Sequence, residues 1–151
     1  MKYWLLKTEA SDYSIDDLQR DGRTCWSGIR NYQARNFIRD DMAVGDLALI
    51  YHSNGDPPGV TGIARICKTA YGDPTAFDTK DSHYDPKSTK SEPIWYAVDV
   101  EFVSMFPNVI SLEHLKNTRN LGGMLVLKRG QRLSVMPVEE KHFRIVEKMG
   151  T

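Results

Sequence analysis

The sequence is short of cysteine, of net charge and of long apolar runs. Cys25 and Cys67 are the whole thiol complement, too few for a disulfide scaffold or a four-cysteine zinc site, and both read as small buried hydrophobes in a reducing compartment. No stretch nears the roughly 20 apolar residues of a membrane helix. The opening MKYWLLKTEA is too short and too soon charged for a signal peptide. The expectation is therefore a cytoplasmic protein with no membrane partner. Its 20 Lys and Arg are cancelled by 20 Asp and Glu, so the surface as a whole does not cling to polyanions, and any nucleic-acid contact must be local.

Signature chemistry is missing as well. No Walker loop, no GxGxxG after a strand, no HExxH and no CxxC pair occurs, which removes the usual marks of nucleotide hydrolysis, dinucleotide binding, zinc proteolysis and thiol redox work. His52, His83, His114 and His142 are scattered. The stretch DSHYD, Asp81 to Asp85, reads as a solvated loop rather than a metal cluster, because it lacks metal-ligand spacing. A thiolate pair of Cys25 with His52 would require the fold to bring them together. No metal, no cofactor and no catalytic residue is expected.

What is present organises into one domain over residues 1–151, without repeats or a linker long enough to split it. The run from Lys2 to Thr8 suits a buried strand. Ser14, with Asp17 three residues on, is a capping box for a short helix that stops at Gly22. The stretch from Thr24 through Asn31 reads as a turn. Asn31 then caps YQARNFIRDDM, whose Ala34, Phe37, Ile38 and Met42 share a core-facing arc while Tyr32, Arg35 and Arg39 line one flank.

Two strands follow as a hairpin, DLALIYH and VTGIARICKTAY, with Gly62 as a bulge. Residues 73–92 form a long polar loop with a turn of helix, and loops of that length inside a compact domain tend to carry function. IWYAVDVEFVSMF is the longest strand signal; its alternation puts Trp95 off the consistent apolar face, where the long loop enters the sheet. LSVMPV is a last strand, and Pro137 opens the terminal helix. Five or six strands mixed with short helices, without regular alternation, favour an α+β fold.

Aromatics and arginines are the distinctive content. Trp4 sits inside a strand run where burial explains it, but Trp26 and Trp95 lie at element ends. Two readings are open for that pair. They cap a small barrel as core residues, or they face each other about 7 Å apart and accept a planar base, each stack contributing roughly 1 to 3 kcal/mol. Arg30, Arg35 and Arg39 belong to one positive block, which is either a solvated face or a phosphate-contacting one.

The blocks MKYWLLKTE, YSIDDL, CWSGIRNYQARNFIRDDM, VGDLALIYHSN, GVTGIARI, YGDPTAFD, YDPKS, PIWYAVDV and LSVMPV together resemble an EVE domain, and the resemblance runs nearly end to end. It implies a PUA-like fold, a small bent β barrel of five or six strands surrounded by short helices, related to the YTH readers of methylated adenine and to the base-flipping SRA domains. It implies a role in binding modified bases in DNA or RNA. By that resemblance Trp26 stands at the position of a cage tryptophan, Ser27 and Asn31 follow as polar edge contacts, His52, Ser53 and Trp95 line the same cleft, and Lys7 guards its mouth.

The leading expectation is thus a non-enzymatic module that holds a modified base between Trp26 and Trp95, with Arg30, Arg35 and Arg39 and a helix N-terminus on the flanking phosphates. A second is an enzyme acting on a base or nucleoside through Glu9, Asp99 or His52. A third is an aromatic cage for a peptide or methyl-lysine.

Overall fold

The computed structural model describes residues Met1–Thr151. Six strands and four α-helices form an α+β fold on one mixed sheet. The strands are β1 (Tyr3–Thr8), β2 (Arg23–Trp26), β3 (Leu47–His52), β4 (Gly59–Gly72), β5 (Tyr96–Ser111) and β6 (Val135–Val138), in the order β2-β5-β4-β3-β1-β6. The helices are α1 (Ile15–Asp21), α2 (Tyr32–Asn36), α3 (Leu112–Lys116) and α4 (Glu140–Gly150). The pair β1 and β3 is parallel, and every other ladder is antiparallel. The hydrogen-bonded ladder does not close on itself: β2 and β6 are its two edges.

Local sequence accounts for most element ends. Ser14 and Asp17 make the full reciprocal capping box, and Gly22 at φ 78° ends α1 in a conformation that favours glycine. Asn31 caps α2 by accepting from Ala34 N–H, and the same coil continues as a π-helical turn over Phe37–Asp41. Ala34, Ile38 and Met42 are buried, and Phe37 packs against the Trp4 ring at 5.7 Å. Trp4 in turn donates its indole N–H to Asp46 at 3.0 Å, pinning the turn before β3 to the first strand.

The long strands β4 and β5 carry repeated register shifts, one of them between Val60 and Gly62. A methyl group on Gly62 would stand 2.3 Å from the Ser104 carbonyl oxygen, so the backbones approach at the predicted bulge and only glycine fits. These slips bend the sheet and bring β2 round toward the end of β1.

Two expectations are corrected. The segment read as a turn before Asn31 begins with a real strand, because Arg23–Trp26 pair with Val98–Glu101 of β5. Pro137 does not open α4; it lies in β6 opposite Trp4, and the helix starts at Glu140. An edge strand tolerates proline because a missing N–H facing outward breaks no ladder bond.

Candidate nucleobase pocket

A cavity of about 300 Å³ opens between the end of β1 and β2, at the low end of the size range for small-molecule sites and suited to a single ring system. β1 contributes Thr8, and the turn before α1 contributes Asp12 and Tyr13. Thr24, Cys25 and Trp26 of β2 continue into Ser27 and Gly28, and His83 comes from the long loop. The Tyr13 ring meets Trp26 at 6.4 Å and 86°, so the two rings form a corner rather than parallel walls. Tyr13 is fixed there by its hydroxyl, which donates to Asp21 at 2.8 Å, and by its carbonyl, which accepts from Thr8 Oγ1 at 2.8 Å.

β2 is an edge strand, and that exposes main-chain groups. Phe102 N–H donates to Gly22 O at 2.8 Å. Alternation from that bond gives β5 the backbone groups of Thr24 and Trp26 and leaves the N–H and C=O of Cys25 on the free edge. Burial pushes the Cys25 thiol up, and Tyr71 partly offsets this by hydrogen bonding. Tyr71 gives its one hydroxyl hydrogen to Asp99, and Arg23 donates to the other oxygen of that carboxylate at 3.1 Å. A protonated, half-buried Cys25 thiol is a poor nucleophile.

Asp73 ties the pocket to the loop. Its fully buried carboxylate accepts from Gly28 N–H at 2.7 Å, from Arg30 at 2.9 Å and from both the N–H and the hydroxyl of Thr75. Burial by itself would push this carboxyl up; the bonds from Thr75, Gly28 and Arg30 outweigh it and hold it below the usual carboxylate range. Gly28 has φ 82°, and a methyl there would stand 3.1 Å from the His83 ring. The imidazole therefore rests directly on the glycine. Its Nδ1 is 3.1 Å from Asp81, which orients the ring.

The fold brings together two of the expected base-binding residues, Trp26 and Ser27, and places the others elsewhere. Trp95 is the main correction. Its indole N–H donates to Asp85 at 2.8 Å, Tyr32 packs on it at 4.9 Å and 31°, and the Arg30 guanidinium lies 5.3 Å from its ring. It is committed to holding the long loop and does not line the cavity. Its bond to Trp95 is the first cause holding the Asp85 carboxyl below its ordinary range, with the Lys87 backbone next.

Asn31 is occupied as the α2 cap. His52 accepts from Ile15 N–H at 3.1 Å, anchoring the start of α1. Ser53 sits behind the wall, bonding the Thr8 carbonyl from its own N–H at 3.0 Å. Lys7 is half-buried with its ammonium 5.8 Å from the Tyr51 ring, and burial lowers its pKa.

The arginines are also engaged. Arg30 spends its guanidinium on Asp73, Thr75 and the Ile29 and His83 carbonyls, so it is a strut for the loop. Arg35 bonds the Ile94 carbonyl and Asn36 while lying over Tyr32. Arg39 pairs with Asp40 at 2.8 Å. Lining residues missed in the sequence are Thr8, Asp12, Tyr13, Thr24, Cys25, Gly28 and His83. The alternation of Thr24 and Trp26 was a weak strand signal, and His83 was hidden within a stretch that looked merely solvated.

Comparison with known proteins agrees with the sequence resemblance. The profile of the EVE domain family matches residues 2–149. Thymocyte nuclear protein 1 of Rattus norvegicus is 43% identical over 162 residues, covering 95% of this chain and 71% of that protein. A Pseudomonas syringae crystal structure superposes with a TM-score of 0.94 at 45% identity, covering 99% of both chains. Human THYN1, solved in complex with 5-methylcytosine containing DNA, superposes at 0.88 with 39% identity, covering 99% of this chain and 98% of that one. The cytoplasmic expectation does not stand, since these curated relatives carry a nuclear name; two cysteines and no membrane helix suit the nucleus as well as the cytoplasm. Profile, identity and superposition span nearly the whole sequence, and the chain belongs to the EVE domain family.

Proposed function

We propose that this protein is a non-enzymatic reader of a modified base in DNA, and that the Trp26 pocket receives the base. The observation that carries the reading is the cavity of about 300 Å³ beside Trp26, in a chain whose relative human THYN1 was solved in complex with 5-methylcytosine containing DNA. One face of the base stacks on Trp26, Tyr13 closes the corner, and His83 bounds the loop side. The free main-chain N–H and C=O of Cys25, with the hydroxyls of Thr24 and Ser27, supply donors and acceptors for the base edge. The sheet is then a PUA-like barrel left open at the seam where the pocket lies. Arg35 and Arg39, on the outer flank, contact phosphates by exchanging their present neighbours for them. The unactivated Cys25 thiol favours a reader over an enzyme, and no cofactor or metal enters the scheme.

Fluorescence titration of matched 5-methylcytosine and unmodified oligonucleotides, as DNA and as RNA, tests the reading. Methylated DNA should bind more tightly, and Trp26→Ala should weaken its binding by roughly five- to 150-fold, the equivalent of about 1 to 3 kcal/mol of stacking. Trp26→Phe, which keeps a ring in the core, should retain part of the affinity. Equal affinity for both oligonucleotides in wild type, with no loss in either variant, would overturn it.

A further inference from the structure

A second cavity lies on the far side of β1 and shares no residue with the Trp26 pocket. Its volume is about 280 Å³. Leu5 of β1 and Met136 of β6 are register partners and form a flat floor. Met124 and Val126 stand over it from the segment before β6, and its polar residues include Glu139 and His142 at the start of α4.

His142 is the informative residue. It is 2% exposed, yet no hydrogen bond to the protein satisfies its ring. Its Nδ1 is 3.3 Å from the Glu139 carboxylate, and its Nε2 has no partner. No side-chain nitrogen is sealed in the interior without a bond, and His142 lines the cavity, so the cavity is where its unpartnered Nε2 can be reached. The Glu139 carboxylate beside Nδ1 favours the tautomer with its hydrogen on that side, which leaves an acceptor lone pair at Nε2. The α4 N-terminus already has Glu139 and Glu140 beside it, so an anionic guest is not called for.

We propose that this cavity binds a small, neutral, planar aromatic molecule bearing one N–H donor, which bonds Nε2 of His142. A cavity of about 150 Å³ lined by apolar side chains accepts benzene, so this volume suits a bicyclic ring. Thioethers favour aromatic edges and faces, and Met124 and Met136 supply two. The donor is set by Nε2 of His142, an acceptor without a partner in the protein, on a wall whose one other polar side chain is Glu139.

Indole and benzothiophene, similar in shape but differing in the N–H, are the probes. Titration of isotope-labelled protein at pH 8, followed by two-dimensional NMR, should show saturable indole shifts at residues 124–126 and 135–143, with a shift of the His142 Nε2 resonance. Benzothiophene should bind three- to tenfold more weakly, and His142→Phe should erase that difference. The wild-type comparison stands by itself if the variant does not fold. Absence of saturable shifts, equal affinity for the two probes in wild type, or shifts confined to the Trp26 pocket would each overturn the proposal. The Trp26 reading is untouched by any of these outcomes, because the two sites have separate walls.

Discussion

The Asp73 carboxylate accepts from Gly28, Arg30 and Thr75, so one buried charge joins the strand that carries Trp26 to the loop that carries His83. Asn at this position keeps the shape but turns an N–H₂ toward donors already aimed at it, and it leaves Arg30 without its counter-charge. Asp73→Asn should therefore cost about 3 kcal/mol of stability, as breaking a buried pair does, measured as a lower urea midpoint. An unchanged midpoint would show that the loop is held by other contacts. Trp95 makes a related point at the same scale. Its position at an element end was visible in sequence, but whether an indole there faces a guest or braces a loop depends on Asp85, Tyr32 and Arg30, residues 10, 63 and 65 positions away along the chain in order of naming.

At the scale of elements, α1 begins where Ile15 N–H meets the His52 imidazole at 3.1 Å, a contact between a helix start and the end of β3. Burial holds the His52 pKa below its ordinary value, with nearby Asp16 pulling the other way. The unfolded chain takes up this proton near pH 6.5 while the folded one resists it, so the contribution is complete above that pH and is lost as pH falls through the lower folded value. Urea midpoints measured from pH 7.5 to 5 should decline, and less steeply in His52→Gln, whose amide oxygen accepts from Ile15 without titrating. Identical pH slopes would remove His52 from the account. In the β4–β5 pair, Gly62→Ala forces a methyl against the Ser104 carbonyl and should destabilise by about 2 kcal/mol, an overpacking cost, read from the same denaturation. Capping residues and the bulge glycine were legible because their signals act within a few positions. β2 was not, since four residues at a sheet edge owe their conformation to β5.

The whole molecule carries no net charge, so long-range steering contributes little and nucleic-acid affinity must come from local contacts. The two phosphate contacts proposed for Arg35 and Arg39, on a single strand, would give a log–log salt slope of about −1.4. Arg35→Ala should bring it to about −0.7, one contact fewer. Arg30→Ala should leave the slope alone and lower the melting temperature instead, because its guanidinium is spent on Asp73, Thr75 and two carbonyls. Binding of methylated oligonucleotides measured across salt concentrations separates the two roles; a slope that falls equally in both variants would return Arg30 to the phosphate face.

Periodicity and capping signals, which are short-range, determined the α+β class, the main strands, the starts of α1 and α2 and the Gly62 bulge. The order of residues also showed the family, through blocks spread over nearly the entire chain. Tertiary structure alone decided which aromatic borders a cavity. Trp26 does so because a bent sheet carries the free edge of β2 to the end of β1, and Trp95 does not because the loop it closes is latched over it. Pocket walls are contributed by residues far apart in sequence, and their juxtaposition depends on the sum of many packing contacts, which no local pattern encodes.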